Sequence, residues 1–273
     1  MVIGLLLIFI LLFILRFLLR IAFFTLVERF ILAIRQLRKA PVKNSFMGGL
    51  QAVYDGLKLF SKVILVRGNT IKDLYIFSPL IIFLILWQEI IVIPYDFIFL
   101  SFIYRSLYFL SLVGSLVYFI IISGLMRVSK YSLMGAIRSS SQSISYEVIF
   151  FFLIFIYVGI SYSFILISND FLIINVFFIL IFFITILVEL GRAPFDFPES
   201  ERELVRGVNT ELSSSLFVLF FLSEYGFILF FRVLFSFLFF TLNIFWSMFV
   251  FILIGFIRVI YPRLKFDYLM GLF

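Results

Sequence analysis

The sequence predicts an all-α protein, a polytopic bundle of transmembrane helices with an amphipathic helix at the membrane surface. Three observations predict this fold class. Hydrophobic residues make up 64% of the 273 residues. Only 14% are charged, whereas soluble domains carry about 25%. Apolar runs of about 20 residues, the length a helix needs to cross a bilayer, recur along the chain.

The chain contains about seven predicted spans in a single membrane domain, residues 1–273. The spans cover about 2–27, 76–98, 100–123, 148–168, 171–190, 213–234 and 241–261. The inner loops are 28–75, 124–147 and 191–212. The first apolar run has no basic start and no small-residue cleavage site, so it is interpreted as a span and not as a signal peptide.

The first inner loop contains a predicted surface helix. Its apolar side chains recur at the spacing of one helical face, at Leu50, Val53, Leu57, Phe60 and Ile64. This pattern predicts an amphipathic helix that lies along the membrane surface or against the bundle.

The basic residues predict the topology. Most of the 22 Lys and Arg residues lie in loops that follow odd-numbered spans or in the C-terminal tail. By the positive-inside rule these loops and the C-terminus face the inner side, and the N-terminus faces out. The net charge of +7 then reflects topology and contact with anionic lipids or partners, because the basic residues form no nucleic-acid recognition module.

The composition also restricts the chemistry of the chain. It contains no His and no Cys. The usual ligands of haem, iron–sulfur clusters and structural zinc are therefore missing, as are disulfides and thiol nucleophiles. We expect this chain to bind no metal, flavin or iron–sulfur cluster.

Carboxylates at membrane depth are the main candidates for function, since ionised groups there are costly and often relay protons. Glu147 begins a span, Glu211 opens one, and Glu224 lies about halfway along that span. Glu189 ends a span, with Arg192 as a candidate i,i+3 partner. The alternative is that each carboxylate is an interfacial residue at a helix end, an interpretation that suits Glu224 least.

Two further clusters carry charge near the membrane. Glu199, Glu201 and Glu203 form an acidic inner loop, which is either a solvated surface or a link from a cavity to the intramembrane carboxylates. Glu28 and Arg29 begin the other cluster, which also contains Arg38, Lys39, Asp55 and Lys58. Such mixed charge beside an apolar groove suits an amphiphile with a polar head and a long tail, or the anchoring of lipid headgroups. Glu89 is interpreted as interfacial.

These segments resemble the membrane subunits that form the quinone site of respiratory complex I, NADH:ubiquinone oxidoreductase. The resemblance is carried by VERFILAIRQLRKAP, GGLQAVYDGLKLFSK, YSLMGAIRSSSQSISYEV, ELGRAPFDFPESERELVRGVNTE and IRVIYPRLKFDYLM. These motifs occur in the family's order and cover most of residues 20–270.

The resemblance implies roles for individual residues. The quinone-binding set would be Glu28, Arg29, Arg38, Asp55, Phe221, Glu224 and Arg258. The proton-route set would be Glu147, Glu189, Arg192, Asp196, Glu199, Glu201, Glu203 and Glu211. Arg138 matches a basic position beside the fourth span. The substrate implied is ubiquinone, and the redox centres would lie in other subunits.

The chain departs from the family pattern in several places. The family usually has a Gly-Pro just after the residue that matches Glu211, whereas this chain reads Leu212-Ser213-Ser214-Ser215-Leu216. Lys62-Val63 stands where Lys-Glu is common. Arg202 and Arg206 add positive charge to the acidic loop. The chain ends at Phe273, where the family continues to a final span, so that helix is expected to be lost or supplied by a separate chain.

The sequence therefore predicts a core complex I subunit of the mitochondrial inner membrane that guides ubiquinone and starts proton translocation. Expected partners are quinone-site subunits of the peripheral arm, small membrane subunits and phospholipids such as cardiolipin, with no nucleic acid. The alternatives are a membrane subunit of a hydrogenase-type ion-pumping complex and a stand-alone ion transporter. The N-terminus is expected in the intermembrane space and the C-terminus in the matrix.

Overall fold

A computed structural model describes residues 2–38, 48–63, 72–93, 104–127, 129–161, 176–196, 212, 214–240 and 244–262. Eight α-helices and no strand occur in these ranges. They are α1 (Val2–Arg35), α2 (Gln51–Phe60), α3 (Lys72–Val92), α4 (Arg105–Leu125), α5 (Lys130–Ser161), α6 (Val176–Glu189), α7 (Ser214–Phe240) and α8 (Ile244–Ile260). The predicted all-α fold class is confirmed.

Four helices in the described part of the chain are long and apolar enough to cross a membrane. They are Asp73–Val92, Arg105–Leu125, Lys130–Ile160 and Ser214–Phe240. Phe177–Glu189 and Phe245–Ile260 are shorter apolar helices. The chain is therefore a polytopic helical protein.

The chain divides into two compact units, Met1–Val63 and Ile64–Phe273. In the first unit, α1 continues to Arg35, so the start of the predicted inner loop is helical. No Gly or Pro interrupts residues 28–35, so nothing in the sequence stops the helix there. The predicted amphipathic helix forms as α2, with Leu50, Val53, Leu57 and Phe60 exposed.

Helix α5 differs most from its sequence-based prediction. Residues 130–147, assigned by sequence to an inner loop, form the first part of α5. Ser139, Ser140 and Ser141 each donate a hydroxyl hydrogen bond of 2.9 Å to the carbonyl three residues earlier. Their polar groups are satisfied within the helix, and this allows a serine-rich segment to continue an apolar span.

Phenylalanine side chains form the core of the second unit. The ring of Phe109 on α4 lies 5.8 Å from Phe150 on α5 and 5.5 Å from Phe230 on α7, measured between centroids. Phe150 in turn lies 5.3 Å from Phe182 on α6. These distances are typical of favourable aromatic pairs, so one cluster joins four helices.

Small residues bring helices of the second unit close together. Gly124 of α4 faces the methyl group of Ala136 on α5, and Gly226 of α7 faces the side chain of Leu86 on α3. A Cβ atom at either glycine would overlap these neighbours. Close approach at small residues is how membrane helices gain packing energy without a hydrophobic driving force between them.

Candidate functional site

A cavity of about 130 Å³ lies within the second unit. Its polar walls come from α5, the end of α6 and α7, and consist of Ser139, Gln142, Ser143, Glu189, Arg192, Ser223 and Glu224. Ile82, Phe220, Phe227 and Phe231 are among its apolar walls. The cavity can hold several water molecules because its polar walls offer them hydrogen-bond partners.

The end of α6 positions Glu189 in this cavity. Gly191 has a φ of 54°, a left-handed conformation that ends helices and favours glycine. The Gln142 side chain on α5 donates through Nε2 to the carbonyls of Val188, at 3.0 Å, and Phe195, at 3.2 Å. One amide group therefore holds both the last turn of α6 and the segment that follows it.

The sequence predicted that Arg192 lies one helical turn after Glu189, but the helix does not extend that far. The helix ends at Glu189 and the chain turns at Gly191, so i,i+3 geometry does not extend to Arg192. Its guanidinium lies over the ring of Tyr225 on α7, 4.4 Å from the centroid. Among the described residues, no group donates a hydrogen bond to the buried Oε2 of Glu189.

Glu147 lies on α5 beside α4. Its Oε1 is 2.6 Å from the position that a Cβ atom on Gly114 would occupy. Glu147 also interacts electrostatically with Glu189. The sequence assigned both residues to the proton route, and the structure brings them within electrostatic range of each other.

Glu89 was interpreted from the sequence as interfacial, and that interpretation missed its burial in the protein. Its side chain is 0% exposed on α3. Ile82, Ile85 and Leu86, which precede it by seven, four and three residues, are also buried and share its helical face. This helical spacing from buried Ile82, Ile85 and Leu86 indicates that Glu89 is buried too. Its position near the end of an apolar run led instead to the interfacial interpretation.

Helix α7 carries two of the predicted quinone-site residues. Glu224 lines the cavity together with Glu189. Phe221 packs between Phe217 and Tyr225, with ring centroids 5.9 and 4.3 Å away. These aromatic residues form a stack along α7 that ends under Arg192. Nothing in the sequence predicts the pairing of Arg192 with Tyr225.

The first unit brings four other predicted residues to one end of α1. Arg29 and Asp55 form an ion pair between α1 and α2, with Nη1 and Oδ2 3.4 Å apart and both side chains about half exposed. Glu28 is buried on α1, and Arg38 is exposed just after it. Of the predicted mixed cluster, Arg29 and Asp55 are in contact, and α2 carries exposed apolar residues beside Asp55. Lys39 lies outside the described residues.

The remaining predicted residues are placed as follows. Arg258 lies in the last turn of α8. Asp196 is buried after the end of α6. Glu199, Glu201, Glu203 and Glu211 lie outside the described residues, as do Arg202 and Arg206.

This arrangement suits proton exchange. Carboxyl groups gain and lose protons, while hydroxyl and amide groups orient the water between them. Within the described ranges, no three acidic side chains converge in a way that could hold a metal ion. The expectation that the chain binds no metal or cluster stays a prediction.

Comparison with known proteins places the chain. A family model described as NADH dehydrogenase matches residues 8–273. The chain belongs to this family. It is 35% identical over 264 residues to NADH-ubiquinone oxidoreductase chain 1 of Mytilus edulis, and the alignment covers 92% of this chain and 87% of the relative. The protein of the same name from Rhipicephalus sanguineus is 39% identical over 260 residues, with 92% of this chain and 83% of the relative covered. That of Arabidopsis thaliana is 36% identical over 283 residues, with coverages of 92% and 86%.

Proposed function

We propose that the chain works as a core membrane subunit of NADH:ubiquinone oxidoreductase, respiratory complex I, in the mitochondrial inner membrane. Its family and the names of its relatives support this role. It is part of an oxidoreductase, and ubiquinone is the substrate of that enzyme. The lack of His and Cys supports the proposal that the redox centres lie in other subunits.

The proposed quinone site includes the mixed cluster of the first unit. The Arg29–Asp55 pair offers a hydrogen-bond donor and an acceptor to a quinone headgroup. The exposed side chains of Leu57 and Phe60 on α2 suit a hydrocarbon tail. Glu28 and Arg38 complete this cluster. The resemblance separately assigns quinone binding to Phe221, Glu224 and Arg258 of the second unit.

The proton route is proposed to begin at the cavity of the second unit. The observation that carries this proposal is that Glu189 and Glu224 line one cavity, with Glu147 in electrostatic range of Glu189. Adding a negative charge near one carboxylate favours protonation of its neighbours, because like charges close together in a poorly solvated site repel strongly. Quinone reduction would therefore change the protonation of this group, and water in the cavity would pass the proton on.

Arg192 and Asp196 support the route from the end of α6. The guanidinium of Arg192 reaches the cavity and supplies positive charge near the carboxylates. Asp196 and, further along the sequence, Glu199, Glu201, Glu203 and Glu211 are proposed to connect the cavity with the inner surface.

The proposal is tested in sealed membranes by measuring protons translocated per NADH oxidised. Glu189→Gln and Glu224→Gln keep the shape of each side chain and remove its capacity to carry a proton. We expect pumping to fall in both variants. Ser141→Ala is the matched control, because Ser141 is an exposed residue of α5 away from the cavity. Normal proton stoichiometry in both Gln variants would contradict the route.

Quinone-site inhibitors separate the proposed enzyme from its alternatives. A complex I subunit confers sensitivity to them, whereas a hydrogenase-type pump or a stand-alone transporter does not. Arg29→Gln and Asp55→Asn are expected to raise the KM for ubiquinone and weaken inhibition. Unchanged inhibition and KM in both variants would contradict a quinone site at this cluster.

Other subunits and lipids are the proposed partners. An apolar stripe is exposed on α8, formed by Phe245, Met248, Phe249, Ile252 and Phe256. This stripe suits a helix from a separate chain or the tails of phospholipids such as cardiolipin. Cross-linking from this stripe in the assembled complex identifies the occupant. Protease accessibility of tags at each end tests the proposed topology, with the N-terminus in the intermembrane space and the C-terminus in the matrix.

A further inference from the structure

Glu89 is a fully buried carboxylic acid outside the proposed proton route. Its side chain is 0% exposed, and both oxygens are inaccessible. Neither oxygen has a hydrogen-bond partner among the described residues. An acid that only stabilised the fold would be expected to accept hydrogen bonds, because burying a polar group without partners is destabilising.

The position of Glu89 on α3 relates it to the cavity. Ile82, seven residues earlier on the same buried face, lines the cavity. Leu86 on that face contacts Gly226 of α7, two residues after Glu224. Glu89 therefore lies on the face of α3 that packs against the cavity-lining helix α7, about 10 Å along the helix axis from Ile82.

The charged groups around Glu89 leave its carboxyl without a positive partner in the described residues. Helices α4 and α7 pack against α3 and carry Arg105, Glu224 and Arg232 on the segments involved. None of them donates a hydrogen bond to Glu89. The electrostatic interaction that Glu89 does make is with another acid, Glu189 of the cavity.

We propose that Glu89 is an additional proton-exchanging carboxyl that extends the route from Glu189 into α3. This inference rests on the proposed function of the cavity. Two acids that interact in a poorly solvated site repel each other when both are ionised. Protonation of one acid thus depends on the state of the other.

The transfer step conserves charge. The O–H bond of the Glu189 carboxyl breaks, and its proton passes to a carboxylate oxygen of Glu89. A new O–H bond forms on Glu89, and the negative charge moves to Glu189. The reverse step returns the proton, so no other reactant is needed.

The experiment uses the assembled complex in sealed membranes with four variants: Glu89→Gln, Glu89→Asp, Glu189→Gln and Gln88→Ala. Protons translocated per NADH oxidised are measured first. We expect Glu89→Gln to lose pumping to the level of Glu189→Gln, and Glu89→Asp to retain it because a carboxyl remains. Gln88 is exposed on the same turn of α3, so Gln88→Ala is the matched control and should pump like the parent complex.

An infrared difference spectrum between oxidised and reduced quinone gives a second readout. The carbonyl band of a protonated carboxylic acid should change on quinone reduction. We expect one component to disappear in Glu89→Gln and to shift in Glu89→Asp. If Glu89→Gln does not assemble, the shift in Glu89→Asp decides the question, and an unshifted spectrum overturns the inference.

The outcomes separate this inference from the proposed function. Loss of pumping in Glu189→Gln with normal pumping in Glu89→Gln overturns the role of Glu89 and leaves the cavity route standing. Normal pumping in Glu89→Gln and Glu189→Gln overturns the inference, and normal pumping in Glu224→Gln as well overturns the cavity route.

Discussion

Gly114 of α4 leaves the space that the Glu147 carboxylate of α5 occupies. Oε1 of Glu147 lies 2.6 Å from the site of a Cβ atom on Gly114, closer than real side chains approach. The position of this acid therefore depends on a neighbour that has no side chain.

Gly114→Ala is expected to displace the carboxylate of Glu147 and reduce proton translocation. The effect on stability should be small, because the far end of a Glu side chain can move and Ala favours a helix by about 1 kcal/mol over Gly. The measurement is protons per NADH together with the temperature of inactivation. Gly159→Ala is the control, since no atom lies within 4 Å of its added methyl group. Equal pumping in both variants would count against a role for the position of Glu147.

Gly226→Ala is expected to destabilise the second unit. Its added methyl group would overlap the Leu86 side chain, and forcing extra volume into a packed interior costs about 1–3 kcal/mol. Thermal inactivation of the complex should occur at a lower temperature. Gly226→Ala should lower the inactivation temperature less in a Leu86→Ala background than in the parent, because the overlapping atoms are then absent. An equal loss in both backgrounds would show that this contact is not the cause.

Gln142→Leu is expected to loosen the end of α6. It removes two hydrogen bonds to the carbonyls of Val188 and Phe195, and each typically contributes about 0.5–1.5 kcal/mol. Hydrogen exchange at residues 188–196 should become faster. Ser145→Ala is the control on the same face of α5. Its hydroxyl donates hydrogen bonds only within α5, so its loss should leave hydrogen exchange at residues 188–196 unchanged. Unchanged exchange in the Leu variant would show that the turn holds its conformation without Gln142.

Tyr225→Leu is expected to weaken the placement of Arg192. A guanidinium over an aromatic ring contributes about 0.5–2 kcal/mol, and Leu offers no π face. Tyr225→Phe keeps the ring and should behave like the parent chain in thermal inactivation and in pumping. If the Phe variant is as impaired as the Leu variant, then the hydroxyl of Tyr225 and not its ring is what matters.

The Arg29–Asp55 pair should contribute little to stability. Both side chains are about half exposed, and exposed ion pairs contribute about 0.2–1 kcal/mol. Asp55→Asn should therefore leave the inactivation temperature almost unchanged. A rise in the KM for ubiquinone in the same variant would then reflect a lost contact with quinone. Lys58→Gln, a change of charge on the same helix, provides the comparison.

The sequence was informative about the helices because their length and apolar composition are dictated by the bilayer. The amphipathic spacing of Val53, Leu57 and Phe60 likewise predicted α2. The serine-rich part of α5 was missed, since hydroxyl-to-carbonyl bonds inside a helix are invisible in composition. For such residues a polar sequence and a helical structure are compatible.

Within the candidate site, the sequence identified Glu147, Glu189 and Glu224 as acids at membrane depth, and the resemblance gave them roles. It could not show that Glu189 and Glu224 share a cavity, because that depends on the packing of α6 and α7. The helical rule failed for Arg192 since Gly191 ends the helix first. The burial of Glu89 was not predicted, because its position near the end of an apolar run does not show which helices pack against it.

The two hydrogen bonds of Gln142 have a mechanical consequence. They attach the last turn of α6 and the segment at Phe195 to a single rigid helix, α5, which also carries Glu147. A displacement of Phe195 breaks its hydrogen bond to Gln142 or moves α5 as well. If the hydrogen bonds of Gln142 break, a displacement near Phe195 stays local. If they hold, the displacement moves α5 and changes the spacing between Glu147 and Glu189.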